Sequence, residues 1–157
     1  MTWSPWEPKL LASADSSSEG KGTIRLWNVH ATNPCSNAAE PGKIELDSQV
    51  TSVHFSPECK EILSTHGPGP APVEGAEPPR VSWPRKTTIN SIAVHAYPSL
   101  RHITTAEVAE KGVGDSVLSP SGLKVMFSAP KENTLRMWTV WGKRKEIRRI
   151  SLLQDIR

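Results

Sequence analysis

Three copies of one short pattern run through the 157 residues: an apolar strand, a Ser-Pro pair, then a second apolar run. The first copy is Thr2-Trp3-Ser4-Pro5 followed by Leu10-Leu11-Ala12-Ser13-Ala14. The second is Ser52-Val53-His54-Phe55-Ser56-Pro57 with Glu61-Ile62-Leu63-Ser64-Thr65, and the third is Asp115-Ser116-Val117-Leu118-Ser119-Pro120 with Val125-Met126-Phe127-Ser128-Ala129. Proline fixes φ and lacks an N–H, so each pair ends a strand and opens a turn. The first and third copies continue into Thr23-Ile24-Arg25-Leu26-Trp27 and Thr134-Leu135-Arg136-Met137-Trp138.

Strand, turn, strand, turn, strand ending in Trp is the plan of a WD40 propeller blade. The expected fold is therefore all-β: about three blades, the C-terminal ones of a seven-bladed WD40 propeller, followed by a flexible basic tail. The blades are placed at about 1–48, 49–110 and 113–140 of a partial propeller domain at 1–140, with the tail at 141–157. Ser4 and Ser56 lie 52 residues apart and Ser56 and Ser119 lie 63 apart, beyond the roughly 40–45 of a standard repeat. Insertions at 16–22, 31–41 and above all 67–86 account for the excess. The last carries prolines 68, 70, 72, 78, 79 and 84 and no apolar period, so it reads as a solvated loop. The Asp of the Trp-Asp signature is absent, since Asn28 follows Trp27 and Thr139 follows Trp138. His95 stands where the middle copy should have its Trp. Closed rings typically need 4–8 blades, so further blades are expected to complete the ring.

Fourteen prolines and ten glycines interrupt the chain too often for long helices. A net charge of +3 spread along the sequence gives no reason to expect a nucleic-acid partner. No segment approaches the ~20 apolar residues of a membrane span, and the start lacks a signal peptide's charged and apolar regions. Cys35 and Cys59 fit a reducing compartment better than a disulfide framework. The expectation is a soluble protein of nucleus and cytoplasm, with no membrane contact.

Longer stretches carry a family resemblance. Trp3-Ser4-Pro5-Trp6-Glu7-Pro8, Leu10-Leu11-Ala12-Ser13 and Ile24-Arg25-Leu26-Trp27-Asn28-Val29 resemble a blade of the Fizzy and Fizzy-related proteins, the substrate-recruiting activators of the anaphase-promoting complex, a ubiquitin ligase. Lys60-Glu61-Ile62-Leu63-Ser64-Thr65-His66-Gly67 and Tyr97-Pro98-Ser99-Leu100 are similar to the next blade. Leu118-Ser119-Pro120-Ser121-Gly122 and Thr134–Trp138 are similar to the last, and the terminal Ile156-Arg157 resembles the family's Ile-Arg tail. The resemblance implies a non-enzymatic activator of the ligase in cell-cycle control. Loops as long as 67–86 lean toward its meiosis-type members. It implies docking of Ile156 and Arg157 into a tetratricopeptide-repeat subunit, and capture of degron-bearing substrates on the propeller. It also implies that an N-terminal segment elsewhere in the family supplies the docking box and the outer strand of the last blade. The alternative is a generic WD40 interaction scaffold unrelated to the ligase.

The substrate edge is where the chain departs from the family. Members commonly read Ala-Asp-Glu-Thr-Leu-Arg-Leu-Trp, with the Glu helping to receive a destruction-box arginine. Counting back from Trp138 puts Asn133 at that Glu and Glu132 at the Asp. A neutral amide cannot give Arg a charge-assisted bidentate partner, so such binding is expected to be weakened or to rely on Glu132. Lys131-Glu132-Asn133 also spells a KEN degron, but it falls where a hairpin must turn, and coincidence is the better account.

Catalysis finds no support. There is no Gly-x-Ser-x-Gly elbow, phosphate loop or His-Glu-x-x-His helix. Cys35, Cys59, His54 and His66 lack metal-ligand spacing, so neither a metal nor a cofactor is expected. A turn role explains all three Ser-Pro pairs better than phosphorylation does. The Lys143–Arg149 cluster reads first as a linker to Ile156-Arg157 and second as a nuclear-localisation patch.

Overall fold

The computed structural model describes residues 1–29, 42–69 and 88–141. The expected all-β propeller blades are present as three antiparallel sheets. Blade 1 contains β1 (Thr2–Trp3), β2 (Leu10–Ser16), β3 (Gly22–Asn28) and β4 (Gly42–Leu46), in that order. Blade 2 contains β5 (Val50–Phe55), β6 (Glu61–His66), β7 (Ser91–Ala96) and β8 (His102–Glu107). Blade 3 has three strands, β9 (Ser116–Leu118), β10 (Lys124–Ala129) and β11 (Thr134–Thr139), so β11 is its outer edge among the described residues. No helix among the described residues is long and apolar enough to cross a membrane.

The Ser-Pro pairs do the same job three times. The N–H of Ser4, Ser56 and Ser119 donates to the carbonyl of Leu10, Glu61 and Lys124 at 2.9, 3.0 and 2.9 Å, closing the first turn of each blade. Their hydroxyls accept backbone N–H groups inside the same turns: Glu7 at 3.1 Å, Cys59 at 3.3 Å and Lys124 at 3.2 Å. Ser56 is fully buried and Ser4 nearly so. This is an ST-turn repeated in register.

Those turns set a common register across the next hairpin. Leu11 pairs with Trp27, Ile62 with His95, and Val125 with Trp138. His95 therefore occupies the tryptophan position of its blade in space as well as in sequence. Period-two alternation then sends successive residues to opposite faces. Leu10, Ala12, Ile24, Leu26, Ile44 and Leu46 of blade 1 pack on Val53, Phe55 and Ile62 of blade 2. The other face of blade 2 supplies Leu63, Ile92 and Val94, which pack with Val125, Phe127 and Trp141 at blade 3. Blade 2 is thus apolar on both faces, which is why β6 and β7 are almost wholly buried.

Two tryptophans outside the strand repeat fasten the outer blades to the middle one. Trp6 stacks edge-on against Phe55 at 5.4 Å between centroids, lies 5.1 Å from Tyr97, and donates its Nε1–H to the Ser56 carbonyl at 2.9 Å. Trp141, at 7% exposure, donates its Nε1–H to Glu61 Oε2 at 2.7 Å. The Tyr97–Pro98 peptide is cis. Near the centre, Ser52 Oγ donates to Asp115 at 2.7 Å and His54 Nε2 lies 2.9 Å from Ser116 Oγ, joining β5 to β9.

Candidate partner-binding site

The turn between β10 and β11 is a 3-10 turn over Pro130–Glu132, closed by a bond from the Asn133 N–H to the Pro130 carbonyl at 3.2 Å. Asn133 sits in the left-handed region at φ 51° and ψ 38°. Among residues with a Cβ, Asn and Asp enter that region most readily. Asn therefore suits the backbone that this turn requires at position 133. The Lys131-Glu132-Asn133 tripeptide lies inside this turn, with Glu132 directed inward, so it is neither extended nor free.

Glu132 is the hub of a clamp between blades. Its Oε1 accepts the N–H of Glu110 at 2.7 Å and of Lys111 at 3.3 Å, in the segment after β8. Its Oε2 accepts from Arg136 Nη2 at 2.5 Å, and Arg136 Nη1 reaches the Val108 carbonyl at 2.5 Å. The Glu110 N–H, followed by the Lys111 N–H and the Arg136 and Lys111 charges, holds the Glu132 carboxyl below the usual carboxylate range against the opposing effect of burial. Both carboxylate oxygens are thus already engaged, and the side chain is only 14% exposed. The two edge residues come together on one turn. One is a turn-former exposed to solvent; the other pins blade 3 to blade 2.

Ile156 and Arg157, with Lys143–Arg149, lie outside the described residues, as do Cys35 and most of the 67–86 insert. Among the described residues, no group of three or more His, Cys, Asp or Glu side chains could hold a metal ion. Cys59 is a thiol with its Sγ 3.0 Å from Ser56 Oγ, inside the second Ser-Pro turn. His66 is wholly buried and bonded to Ser64 at 2.9 Å. Trp6, Trp141 and Arg136 are the residues that motif reading underrated. The number of tryptophans in excess of the strand-end positions hinted at the first two, and nothing in the strand motif hinted at the contacts of Arg136.

The left-handed geometry at position 133 gives a direct test. Asn133→Gly should change stability by only a few tenths of a kcal/mol, whereas Asn133→Val should cost about 1–2 kcal/mol, because a branched Cβ disfavours φ > 0. The midpoint of urea unfolding reads both. An equal loss for the two variants would mean that the amide side chain matters and the backbone does not.

No family model matches the chain. It is 31% identical over 143 residues to an Arabidopsis thaliana protein described as "Cell division cycle 20.4, cofactor of APC complex", covering 91% of this chain and 26% of that one. It is 27% identical over 147 residues to the Dictyostelium discoideum "Anaphase-promoting complex subunit cdc20", covering 94% and 24%. "Protein FIZZY-RELATED 3" of Arabidopsis thaliana is 29% identical over 141 residues, covering 90% and 24%. A chain in the crystal structure of a mitotic checkpoint complex superposes with a TM-score of 0.65 at 27% identity, covering 90% of this chain and 35% of that one. The chain spans about a quarter of the length of the curated relatives it matches.

Proposed function

We propose that this chain, which belongs with the Cdc20 and Fizzy-related proteins, serves as part of a substrate-recruiting activator of the anaphase-promoting complex in cell-cycle control. The observation that carries the reading is the match, across nine-tenths of the chain, to relatives described as a cofactor of the APC complex and as an anaphase-promoting complex subunit. In this reading the chain acts by binding and not by chemistry, in the nucleus and cytoplasm. Its partners are the ligase and degron-bearing substrates.

The contact assigned to this chain's own residues is the C-terminal Ile156-Arg157 in a groove of a tetratricopeptide-repeat subunit. Ile156 offers an apolar anchor, Arg157 a planar five-donor guanidinium, and the chain end a carboxylate. Lys143, Arg144, Lys145, Arg148 and Arg149 would speed encounter with an acidic surface, an effect that salt weakens. At the substrate edge, the engaged Glu132 and the neutral Asn133 support weak rather than strong capture of a destruction-box arginine.

The test is titration of a peptide of residues 143–157 against the repeat subunit. Deleting Ile156-Arg157 should weaken binding by about 2 kcal/mol, roughly thirtyfold. Adding one Gly after Arg157 should do similar harm, because it displaces the carboxylate. Equal affinity for all three peptides would remove the tail from the proposal. Failure of the whole chain to co-purify with ligase subunits would favour a WD40 scaffold of another kind.

A further inference from the structure

Four hydroxyl residues have an arginine three positions before them: Thr88 after Arg85, Thr104 after Arg101, Thr139 after Arg136, and Ser151 after Arg148. That spacing is what an arginine-directed Ser/Thr kinase reads, because carboxylates in its substrate groove pair with guanidinium groups through charge-assisted, bidentate bonds. Such a groove takes its substrate as an extended segment with an unengaged hydroxyl and unpaired backbone. The fold removes three of the four. Thr88 is 7% exposed, and its Oγ1 donates to Asp47 Oδ1 at 2.5 Å and lies 2.7 Å from Ser48 Oγ. Thr104 is paired with Val94 inside the β7–β8 ladder. Thr139 is paired with Lys124, and its Arg136 is already held by the Glu132 carboxylate and the Val108 carbonyl.

Ser151 follows Trp141, the last described residue, and belongs to none of the described strands. It also carries the fullest pattern. Arg148 and Arg149 stand three and two positions before it, and Leu152 follows directly as an apolar contact. We propose that Ser151 is a phosphorylation site for a kinase that recognises paired arginines, and that its phosphate weakens the attraction of the basic stretch for acidic surfaces. In the transfer, Ser151 Oγ bonds to the γ-phosphorus of ATP while the bond from that phosphorus to the ADP oxygen breaks. The hydroxyl proton passes to the base of the kinase, and the products are phosphoserine and ADP. The phosphate brings about −1.5 to −2 charge at pH 7. It lies just after residues 143–149, where five basic side chains face one acidic one, and so offsets about half of their net charge. It also competes with an acidic partner for Arg148 and Arg149. The effect on docking rests on the tail reading above; the site itself does not.

The whole chain, incubated with ATP, magnesium and the catalytic subunit of a cyclic-AMP-dependent protein kinase, is expected to take up phosphate at Ser151, mapped by mass spectrometry. Ser151→Ala should lower the uptake at least about tenfold, Arg148→Ala should slow it by a similar factor, and Lys143→Ala should change it less than about twofold. The peptide of residues 143–157 is a second substrate whose result does not depend on folding. No uptake by either substrate would overturn the site, as would uptake that survives Ser151→Ala. The same peptide carrying phosphoserine at 151 is then titrated against the repeat subunit. It should bind at least about threefold more weakly than the unmodified peptide at low salt, with the difference shrinking as salt rises. Equal affinities at low salt would overturn the regulatory effect. An unmodified peptide that fails to bind would overturn the docking of Ile156-Arg157 and the regulation built on it, while the kinase assay decides the site independently.

Discussion

Trp141→Ala is expected to lower stability by about 3–5 kcal/mol, the range for truncating a large buried aromatic side chain. The indole is 7% exposed and packs with Leu63, Val94, Val125 and Phe127, so its loss opens a cavity at the junction of blades 2 and 3. Its Nε1–H also donates to Glu61 Oε2 at 2.7 Å, a charge-assisted bond across that junction. Trp141→Phe separates the two contributions. It keeps most of the apolar volume but leaves the carboxylate without this donor, and should cost about 1.5–3 kcal/mol. Urea unfolding with both variants gives the comparison. If Trp141→Ala cost less than 1 kcal/mol, the ring would not hold the blades together.

How much of this was legible depended on whether a residue answers to local or to distant demands. The Ser-Pro turns, the strand triplets and the place of His95 follow from period-two alternation and proline's fixed φ, so they could be read from ten-residue windows. The outer strands β4 and β8 gave weaker signals. Gly42-Lys43-Ile44-Glu45-Leu46 alternates well, but its charged residues face solvent and the strand is short. The roles of Trp6, Glu61 and Trp141 were not legible, because each acts across a separation of 50 or 80 residues that only the stacking of blades creates. Glu132 was legible as a candidate but not as a clamp, for its partners at 110 and 111 belong to the preceding blade. Asn133 looked like a lost carboxylate in the sequence. The positive φ shows a residue chosen for its backbone, which no side-chain motif records.

Acidification from pH 6.5 to pH 4 is expected to destabilise the blades by about 3–6 kcal/mol through two buried histidines. Burial, followed by the nearby His95, pushes His66 down to about 4 from an ordinary 6.5, while Asp47 and the Gln49 backbone oppose the shift only partly. Burial, followed by His102 at 5.5 Å between ring centroids, pushes His95 to about 4. Nδ1 of His95 has no hydrogen-bond partner among the described residues, so a proton there would be unsatisfied. Above about pH 7.5 both states are neutral at these rings and stability does not change. Between 6.5 and 4 the unfolded chain binds protons that the folded chain refuses, so stability falls as pH falls, by up to about 1.4 kcal/mol per pH unit for each ring. His66 accounts for about 3 kcal/mol, and His95, which lines an open cleft beside Thr88 and His102, for less. Asp115 and Glu132 are held below their ordinary values, by Ser52 and by the Glu110 N–H respectively, so their contributions fade only at lower pH. The window from 6.5 to 4.5 therefore belongs to the histidines. His66→Gln should lower stability at pH 7 yet flatten the slope in that window, as read from urea midpoints at half-unit pH steps. An unchanged slope in the variant would show that His66 takes up its proton without resistance, and that burial at β6 is looser than the packing of Ser64, Thr65 and His66 implies.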